Sequence, residues 1–338
     1  MKKSLIFLLF ILLTFGLSGS IQAAVTGMCS HCHTMHNSQG GQQVVAFEAF
    51  EGYTDANPSL LNTTCVGCHS AEGFTISTTG TPIVWNIGGN FGTDDPLAGG
   101  NFSYVTVTNA QGHNVAGIVG QDQTLALIPP GGSALSSQLT CAGVSGCHGD
   151  RGNSDQLDAV RTAHHKDDSE GTPGGAAGVG LSYRFLNGIS GTEDNDWEQD
   201  NVNTSHNEYK GANDFDDTAN ISSLCSQCHG DFHSTSGVGS GSPWLRHPTN
   251  IVLPTMGEYQ YYNGGPGGGA AAPYSMIAPV ARPDLSAIGV TSEARPGTDI
   301  VMCLSCHRVH GSPNFKMIRW DILNDFSIGC GVCHTSKQ

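Results

Sequence analysis

Twelve cysteines fall into six pairs, and a histidine directly follows the second cysteine of every pair. The sequence C-x-x-C-H is the attachment signature of a c-type haem, in which two thiols bind the porphyrin and the histidine binds the iron. Motifs 1 to 6, in chain order, use the cysteine pairs Cys29/Cys32, Cys65/Cys68, Cys141/Cys147, Cys225/Cys228, Cys303/Cys306 and Cys330/Cys333. The sequence therefore predicts six covalently bound haems with proximal ligands His33, His69, His148, His229, His307 and His334.

The spacing has a physical reason, because positions i, i+3 and i+4 of one helical turn share a face. Motif 3 departs from it, since five residues separate Cys141 from Cys147. Residues 143–146 must therefore bulge while the two cysteines keep their positions, and the glycines Gly143 and Gly146 permit such a bulge. Motif 3 could also carry only one thioether bond.

Disulfide bonds and zinc sites are alternative uses for an even number of cysteines in an exported protein. Neither explains why a histidine follows all six second cysteines, since only 15 of the 338 residues are histidine.

Nine further histidines could supply the sixth iron ligand. We expect distal ligands among His36, His113, His164, His165, His206, His247 and His310, with one of the neighbours His164 and His165 serving. His233 is a reserve, and His31 is the least suitable because it lies between the cysteines of motif 1. Methionine is the alternative ligand, and it would raise the reduction potential of a haem. Apart from Met1, the chain has six methionines, namely Met28, Met35, Met256, Met276, Met302 and Met317. We expect histidine on both sides of every iron.

The elements that hold these motifs should be short. With 46 glycines and 7% aromatic residues, the chain has little material for a large apolar core. We predict a mostly irregular fold of coil, short helices and few short strands, in which haems form the core. Helices are expected over residues 154–170, 221–228 and 299–306, and strands over 81–87 and 104–108. The acidic stretches 193–200 and 214–217 read as solvated loops, with calcium binding as an alternative.

The N-terminus resembles a cleavable secretory signal. Lys2 and Lys3 precede an apolar run over residues 5–13, and Ala23 and Ala24 end the stretch. A transmembrane helix is the alternative, but the run is shorter than the roughly 20 residues that span a bilayer. We expect a signal peptide over 1–24 and one hexahaem domain over 25–338. A net charge of -15 makes nucleic acid an unsuitable partner and favours cationic proteins, metal ions and mineral surfaces.

Several ordered stretches resemble the multihaem c-type cytochromes of metal-reducing bacteria. They are Cys32-His33-Thr34-Met35-His36-Asn37-Ser38, Gly112-His113-Asn114-Val115, Tyr183-Arg184-Phe185-Leu186, Leu245-Arg246-His247-Pro248 and Cys303-Leu304-Ser305-Cys306-His307-Arg308 with His310. The resemblance implies a continuous chain of stacked haems with two histidines on each iron. It also implies that His36 leaves its own subunit and binds the haem on Cys303 and Cys306 of the next. Arg151 stands where the family has a histidine, so we expect His164 or His165 to take that role.

Three classes of function remain open. The leading interpretation is a non-enzymatic carrier, secreted to the cell surface, that passes electrons to partner cytochromes, metal oxides or other extracellular acceptors. It would act as a homopolymeric filament or as a soluble periplasmic or extracellular shuttle. A multihaem reductase acting on nitrite, hydroxylamine or a sulfur oxyanion would need an open iron position, and a haem-storage or metal-binding surface protein is the third possibility.

Overall fold

Irregular backbone dominates the fold. The computed structural model describes residues 27–44, 56–92, 94, 96–161, 163–165, 178–200, 202–214, 216–233, 247–285 and 291–337. Most of these residues lie in turns, bends and loops, which confirms the predicted fold class. The predicted signal peptide and most of the glycine-rich stretch 171–180 lie outside them. Within these ranges, no helix has the length and apolar character needed to cross a membrane.

Three of the four α-helices lie at haem motifs. Within the described ranges the helices are α1 (Cys65–His69), α2 (Gln156–Ala159), α3 (Ile221–Ser226) and α4 (Ser327–Cys333). Helix α1 consists of motif 2, while α3 and α4 lead into motifs 4 and 6. The Asn220 side chain caps α3 by accepting a 3.0 Å hydrogen bond from the backbone N–H of Ser223. The helix predicted over 221–228 is therefore confirmed, ending at Ser226.

Among the described residues, the remaining helical structure is 3₁₀-helix, in single turns except for the longer, kinked segment Gly257–Gly264. The 3₁₀ segments are Cys29–His31, Pro58–Leu60, Ile87–Gly89, Asn109–Gln111, Ala163–His165, Val179–Leu181, Tyr183–Phe185, Gly230–Phe232, Gly257–Gly264, Cys303–Ser305, Phe315–Met317 and Thr335–Lys337. Motifs 1 and 5 lie on such turns instead of α-helices.

The strands are two or three residues long and pair in twos. They are β1 (Ser38–Gln39), β2 (Gln42–Gln43), β3 (Ser70–Ala71), β4 (Trp85–Asn86), β5 (Thr140–Ala142), β6 (Gly146–His148), β7 (Gly191–Thr192), β8 (Glu208–Tyr209), β9 (Ile251–Val252), β10 (Ala272–Pro273), β11 (Glu293–Ala294) and β12 (Ile300–Val301). Pairs β1–β2, β7–β8, β9–β12 and β10–β11 are antiparallel, whereas β3–β4 and β5–β6 are parallel. In the β9–β12 register, Val252 lies opposite Ile300.

Two predicted helices are shorter than expected. The helix over 154–170 reduces to α2, capped by Asp155, followed by the separate turn Ala163–His165. The prediction of a helix over 299–306 was wrong for its first half, because the β-branched residues Ile300 and Val301 form strand β12. Only Cys303–Ser305 is helical there.

Predicted strands also differ from the structure. Residues 104–108 form turns, since the amides of Val107 and Thr108 both donate to the carbonyl oxygen of Tyr104. Their alternating pattern reflects one buried residue, Val105, beside an exposed Val107. Of residues 81–87, only β4 is a strand.

In the part of the chain that the structure describes, buried apolar residues form three small clusters instead of one core. The first surrounds Tyr262 and Trp320, the second Tyr209 and Met302, and the third Phe102 and Val105. Motif cysteines pack against two of these clusters, Cys306, Cys330 and Cys333 against the first and Cys141 against the third. The apolar residues therefore gather around the haem attachment points.

Two acidic residues of the stretch 193–200 are buried, which corrects the prediction that the whole stretch forms a solvated loop. Asp194 and Glu198 are 6% and 4% exposed. The carboxylate of Asp194 accepts hydrogen bonds from Ser205 and the Glu198 amide, and that of Glu198 accepts one from the Asn207 amide. Among the described residues, no group of three or more histidine, cysteine or acidic side chains is arranged to hold a metal ion.

Candidate haem sites

In every haem motif, Nδ1 of the proximal histidine lies beside a hydrogen-bond acceptor. In motifs 1 to 5, Nδ1 lies 2.7–3.0 Å from a backbone carbonyl oxygen, that of Ser59, Pro82, Arg184, Pro130 and Lys316 respectively. In motif 6, Nδ1 of His334 lies 3.2 Å from a carboxylate oxygen of Glu258. An Nδ1–H that donates to such an acceptor fixes the tautomer and leaves Nε2 as the metal ligand.

Motifs 1, 3 and 5 use the same local structure to provide that carbonyl. The acceptors Ser59, Arg184 and Lys316 all have positive φ angles, of 56°, 48° and 56°, and the residue after each also has a positive φ. The carbonyl of that next residue then accepts a backbone hydrogen bond from the residue that follows the proximal histidine, as in Arg308 to Met317. The three segments are Ser59-Leu60-Leu61, Arg184-Phe185-Leu186 and Lys316-Met317-Ile318.

Sequence reasoning missed these acceptor residues. A signal was present, because each segment has a polar residue followed by two large apolar residues. One of them, Arg184-Phe185-Leu186, lies in a stretch that carried the family resemblance. In the structure, this stretch positions His148, whose Nδ1 lies 2.8 Å from the carbonyl oxygen of Arg184.

Five proximal histidines each lie opposite a second histidine ring. The pairs, with their ring-centroid distances, are His33/His165 (6.0 Å), His69/His164 (6.4 Å), His148/His310 (6.4 Å), His229/His113 (6.2 Å) and His334/His247 (6.1 Å). A metal–imidazole bond is about 2 Å long, so two imidazoles on one iron have ring centres about 6 Å apart. The five pairs therefore have the dimensions of a haem iron bound through two histidines.

Burial favours the neutral form of several of these rings, and ligation requires a neutral imidazole. Burial lowers the pKa of His164 to about 4 and that of His310 to about 3. Burial also lowers the pKa of His113, His148 and His247. Uncharged imidazoles can bind iron without first losing a proton.

His164 and His165 face other motifs than the sequence predicted. We expected one of the two to be a ligand, near motif 3 or 4. The turn Ala163–His165 instead brings both to proximal rings, His165 to motif 1 and His164 to motif 2. The ring opposite motif 3 belongs to His310, so the arginine at position 151 does not leave His148 without a facing histidine.

His307 of motif 5 is the exception. Its Nδ1 is held by the Lys316 carbonyl at 3.0 Å, like the other proximal rings. Among the described residues, which include all fifteen histidines, no second histidine ring lies opposite it at the spacing of the five pairs. His36 is exposed beside the β1–β2 hairpin and also takes part in no such pair. His307 is thus the one proximal ring without a facing histidine, and His36 is an exposed candidate ligand without a proximal ring.

His206 is not placed as a ligand, although it was among the candidates. Its ring is fully buried and stacks on Tyr274, with centroids 3.9 Å apart. Nδ1 lies 3.0 Å from the Asn207 carbonyl and Nε2 2.9 Å from the Thr291 carbonyl, so neither nitrogen is directed at an iron. The reserve candidate His233 lies 3.0 Å from the Asn250 amide nitrogen.

Successive motifs are neighbours in space. The thiols of Cys65 and Cys141 lie near enough to shift each other's pKa, which places motif 2 beside motif 3. The thiols of Cys225 and Cys303 do the same and place motif 4 beside motif 5. Weaker electrostatic interactions link Cys32 with Cys68, Cys147 with Cys228 and Cys306 with Cys333. Each motif is therefore a neighbour of the next one in the chain.

The wide motif 3 closes through strand pairing. Strands β5 and β6 pair in parallel, with Ala142 opposite His148, and residues 143–145 loop out between the strands. Gly143 has a φ of +82°, and a Cβ on Gly146 would lie 2.5 Å from the Ala142 backbone. The backbone therefore favours glycine at both positions, which the sequence analysis expected only to permit a bulge.

Comparison with known proteins agrees with this arrangement. Residues 297–338, which contain motifs 5 and 6, match a family model described as "Doubled CXXCH motif". The C-type cytochrome OmcS of Geobacter sulfurreducens is 27% identical over 362 residues, covering 88% of this chain and 80% of OmcS. The chain resembles OmcS along most of its length. It is similar in sequence and in fold to this c-type cytochrome, and motifs 5 and 6 match a doubled haem-attachment motif.

Solved OmcS structures have the same fold. The Outer Membrane Cytochrome S Filament from Geobacter sulfurreducens matches with a TM-score of 0.54 at 21% identity, covering 90% of this chain and 86% of that one. The cryo-EM structure of the OmcS nanowires from the same organism matches with a TM-score of 0.51 at 19% identity, covering 89% and 85%. Similarity to OmcS in sequence and in fold thus covers about nine-tenths of the chain.

Proposed function

We propose that this protein is a secreted cytochrome that carries electrons outside the cell along a row of six c-type haems. The observation that carries the proposal is the set of five facing histidine pairs, each at the spacing of two ligands on one iron. Similarity to OmcS supports extracellular electron transfer as the function. The haems supply the redox chemistry, one electron per iron.

The protein chain would hold and shield the haems. Two histidines on an iron leave no position for a substrate, which favours electron transfer over reduction of nitrite or a sulfur oxyanion. Carbonyl acceptors at the proximal rings hold the imidazoles in fixed orientations. Neighbouring attachment cysteines keep consecutive haems close, so electrons can pass from one to the next. Partner cytochromes and metal oxides are the donors and acceptors we propose.

His36 is the sixth distal ligand in this proposal, and it acts between subunits. It would bind the iron of motif 5, held by His307, in a neighbouring copy of the chain. The exposed side chains of Met28 and Met35, 66% and 76% exposed, flank motif 1 and would be covered by that neighbour. The matching OmcS structures are filaments, which supports a homopolymer for this chain.

Replacing His36 tests the filament directly. The His36→Ala protein should carry six haems, form no filaments in negative-stain images, and have one high-spin haem in six in the oxidised state. His31→Ala is the matched control, since His31 is also exposed and lies five residues earlier. It should form filaments with low-spin iron throughout. Intact His36→Ala filaments with six low-spin haems would refute the intersubunit ligand.

The same experiment separates the alternatives. Wild-type protein that stays monomeric with one high-spin haem would be a soluble shuttle with an open fifth haem. That form should bind carbon monoxide when reduced, which is the property a reductase would need. Filaments whose reduced haems resist carbon monoxide would support the electron carrier and exclude the reductase.

A further inference from the structure

Motif 6 differs from the other five in the group that accepts the proximal Nδ1–H. Five proximal histidines donate to neutral backbone carbonyls, whereas His334 faces a carboxylate oxygen of Glu258 at 3.2 Å. The two side chains are 23% and 16% exposed. On the distal side, Nδ1 of His247 lies 3.0 Å from the Pro248 carbonyl, which is neutral. Of the two facing histidines at motif 6, His334 therefore has a carboxylate acceptor and His247 has a neutral one.

The chain holds Glu258 against this ring from two directions. Its backbone carbonyl accepts a 2.7 Å hydrogen bond from the Thr335 hydroxyl, and its Oε2 accepts one of 2.5 Å from Ser336. Both residues directly follow His334 in the sequence. Because His334, Thr335 and Ser336 are consecutive in the chain, these hydrogen bonds hold Glu258 in position relative to the His334 imidazole.

A carboxylate acceptor changes the electronic character of a ligating histidine. It draws the Nδ1 proton toward itself, which makes the imidazole more anionic and a stronger donor to iron. Stronger donation and nearby negative charge both stabilise the ferric state, so the reduction potential falls. Partial burial reduces the screening of this charge by water.

We infer that Glu258 lowers the reduction potential of the sixth haem relative to a haem whose proximal histidine donates to a carbonyl. Glu258 is a positioning residue, because it acts on the iron through His334. This inference rests on the proposed function, in which His334 ligates a haem on Cys330 and Cys333. In a filament, one such site recurs in every subunit and stays oxidised while neighbouring haems accept electrons.

Stepwise reduction of purified variants, followed by optical spectroscopy, tests the inference. In Glu258→Gln, one of the six one-electron steps should move to higher potential and five should stay. Ser336→Ala should move the same step to lower potential, because it removes a hydroxyl that offsets the carboxylate charge. Glu293→Gln is the matched control, since Glu293 is exposed on β11 and its loss should move no step.

The outcomes separate this inference from the proposed function. Mass measurement of the peptide that contains Cys330 and Cys333 reports whether the haem is attached. A haem-free peptide in the wild-type protein would overturn both. An attached haem in the wild-type and Glu258→Gln proteins, with all six steps unchanged, would overturn the role of Glu258 alone. If Glu258→Gln does not acquire its haems, Ser336→Ala tests the role of Glu258 instead. A shift of one step to lower potential supports that role, and no shift or a shift to higher potential overturns it.

Discussion

His33 and His165 face each other with ring centroids 6.0 Å apart and ring planes inclined by 19°. The two residues are 132 positions apart in the chain. Beside them, His164 faces His69, so one turn of 3₁₀-helix presents a ring to each of the first two motifs. This relationship ties the N-terminal motifs to the middle of the chain. It also accounts for two distal ligands on consecutive residues.

Distal and structural histidines should respond differently to alanine. His113→Ala removes the ring opposite His229, so one haem in six should become high-spin while filaments persist. His206→Ala should keep all haems low-spin but lower the free energy of unfolding by about 2–3 kcal/mol, since it empties a buried, stacked site. Electron paramagnetic resonance and denaturant unfolding measure the two effects. A high-spin signal in His206→Ala would contradict our assignment.

Closure of motif 3 depends on Gly146. In Gly146→Ala the new methyl group meets the Ala142 backbone, so Cys141 and Cys147 should separate and the haem count should fall from six to five. Val144→Ala is the control, because Val144 is 60% exposed and lies in the same loop. Intact-protein mass gives the haem count for both variants. Six haems on Gly146→Ala would show that the loop closes in another way.

The chemistry of the sites was readable from the sequence, but the pairing of ligands was not. The spacing of cysteine and histidine is a local property, so it identified the motifs and the proximal rings. Pairing joins residues as far apart as His148 and His310, and coil segments carry no periodicity that reports such contacts. His206 looked equivalent to His113, because both lie in polar loops, and only the contacts of their rings in the folded chain distinguish them.

Short elements were the least predictable part of the fold. Residues 299–306 contain both the β-branched Ile300 and a haem motif, so two local preferences compete within eight residues. The partner strand Ile251–Val252, distant in sequence, decides in favour of β12. Conversely, the cap at Asn220 is local, and the helix after it was predicted correctly.

Asp196 should make stability depend on pH. Burial and the neighbouring Asp194 raise its pKa from 3.8 to about 6. The folded state therefore binds more protons than the unfolded state between about pH 4 and 6, and stability falls as pH rises through that range. Asp196→Asn should stabilise the protein by about 1 kcal/mol at pH 7.5, since the group is partly exposed, and have little effect at pH 4. Equal effects at both pH values, measured by thermal unfolding, would exclude this origin.

A cryo-EM reconstruction of the purified wild-type filament tests the central claim most directly. We predict six haems per subunit in one continuous row, with the five histidine pairs described above on five irons. The remaining iron should lie between His307 of one subunit and His36 of the next. A map in which His36 faces a haem of its own subunit, or in which the row is interrupted, would contradict the account.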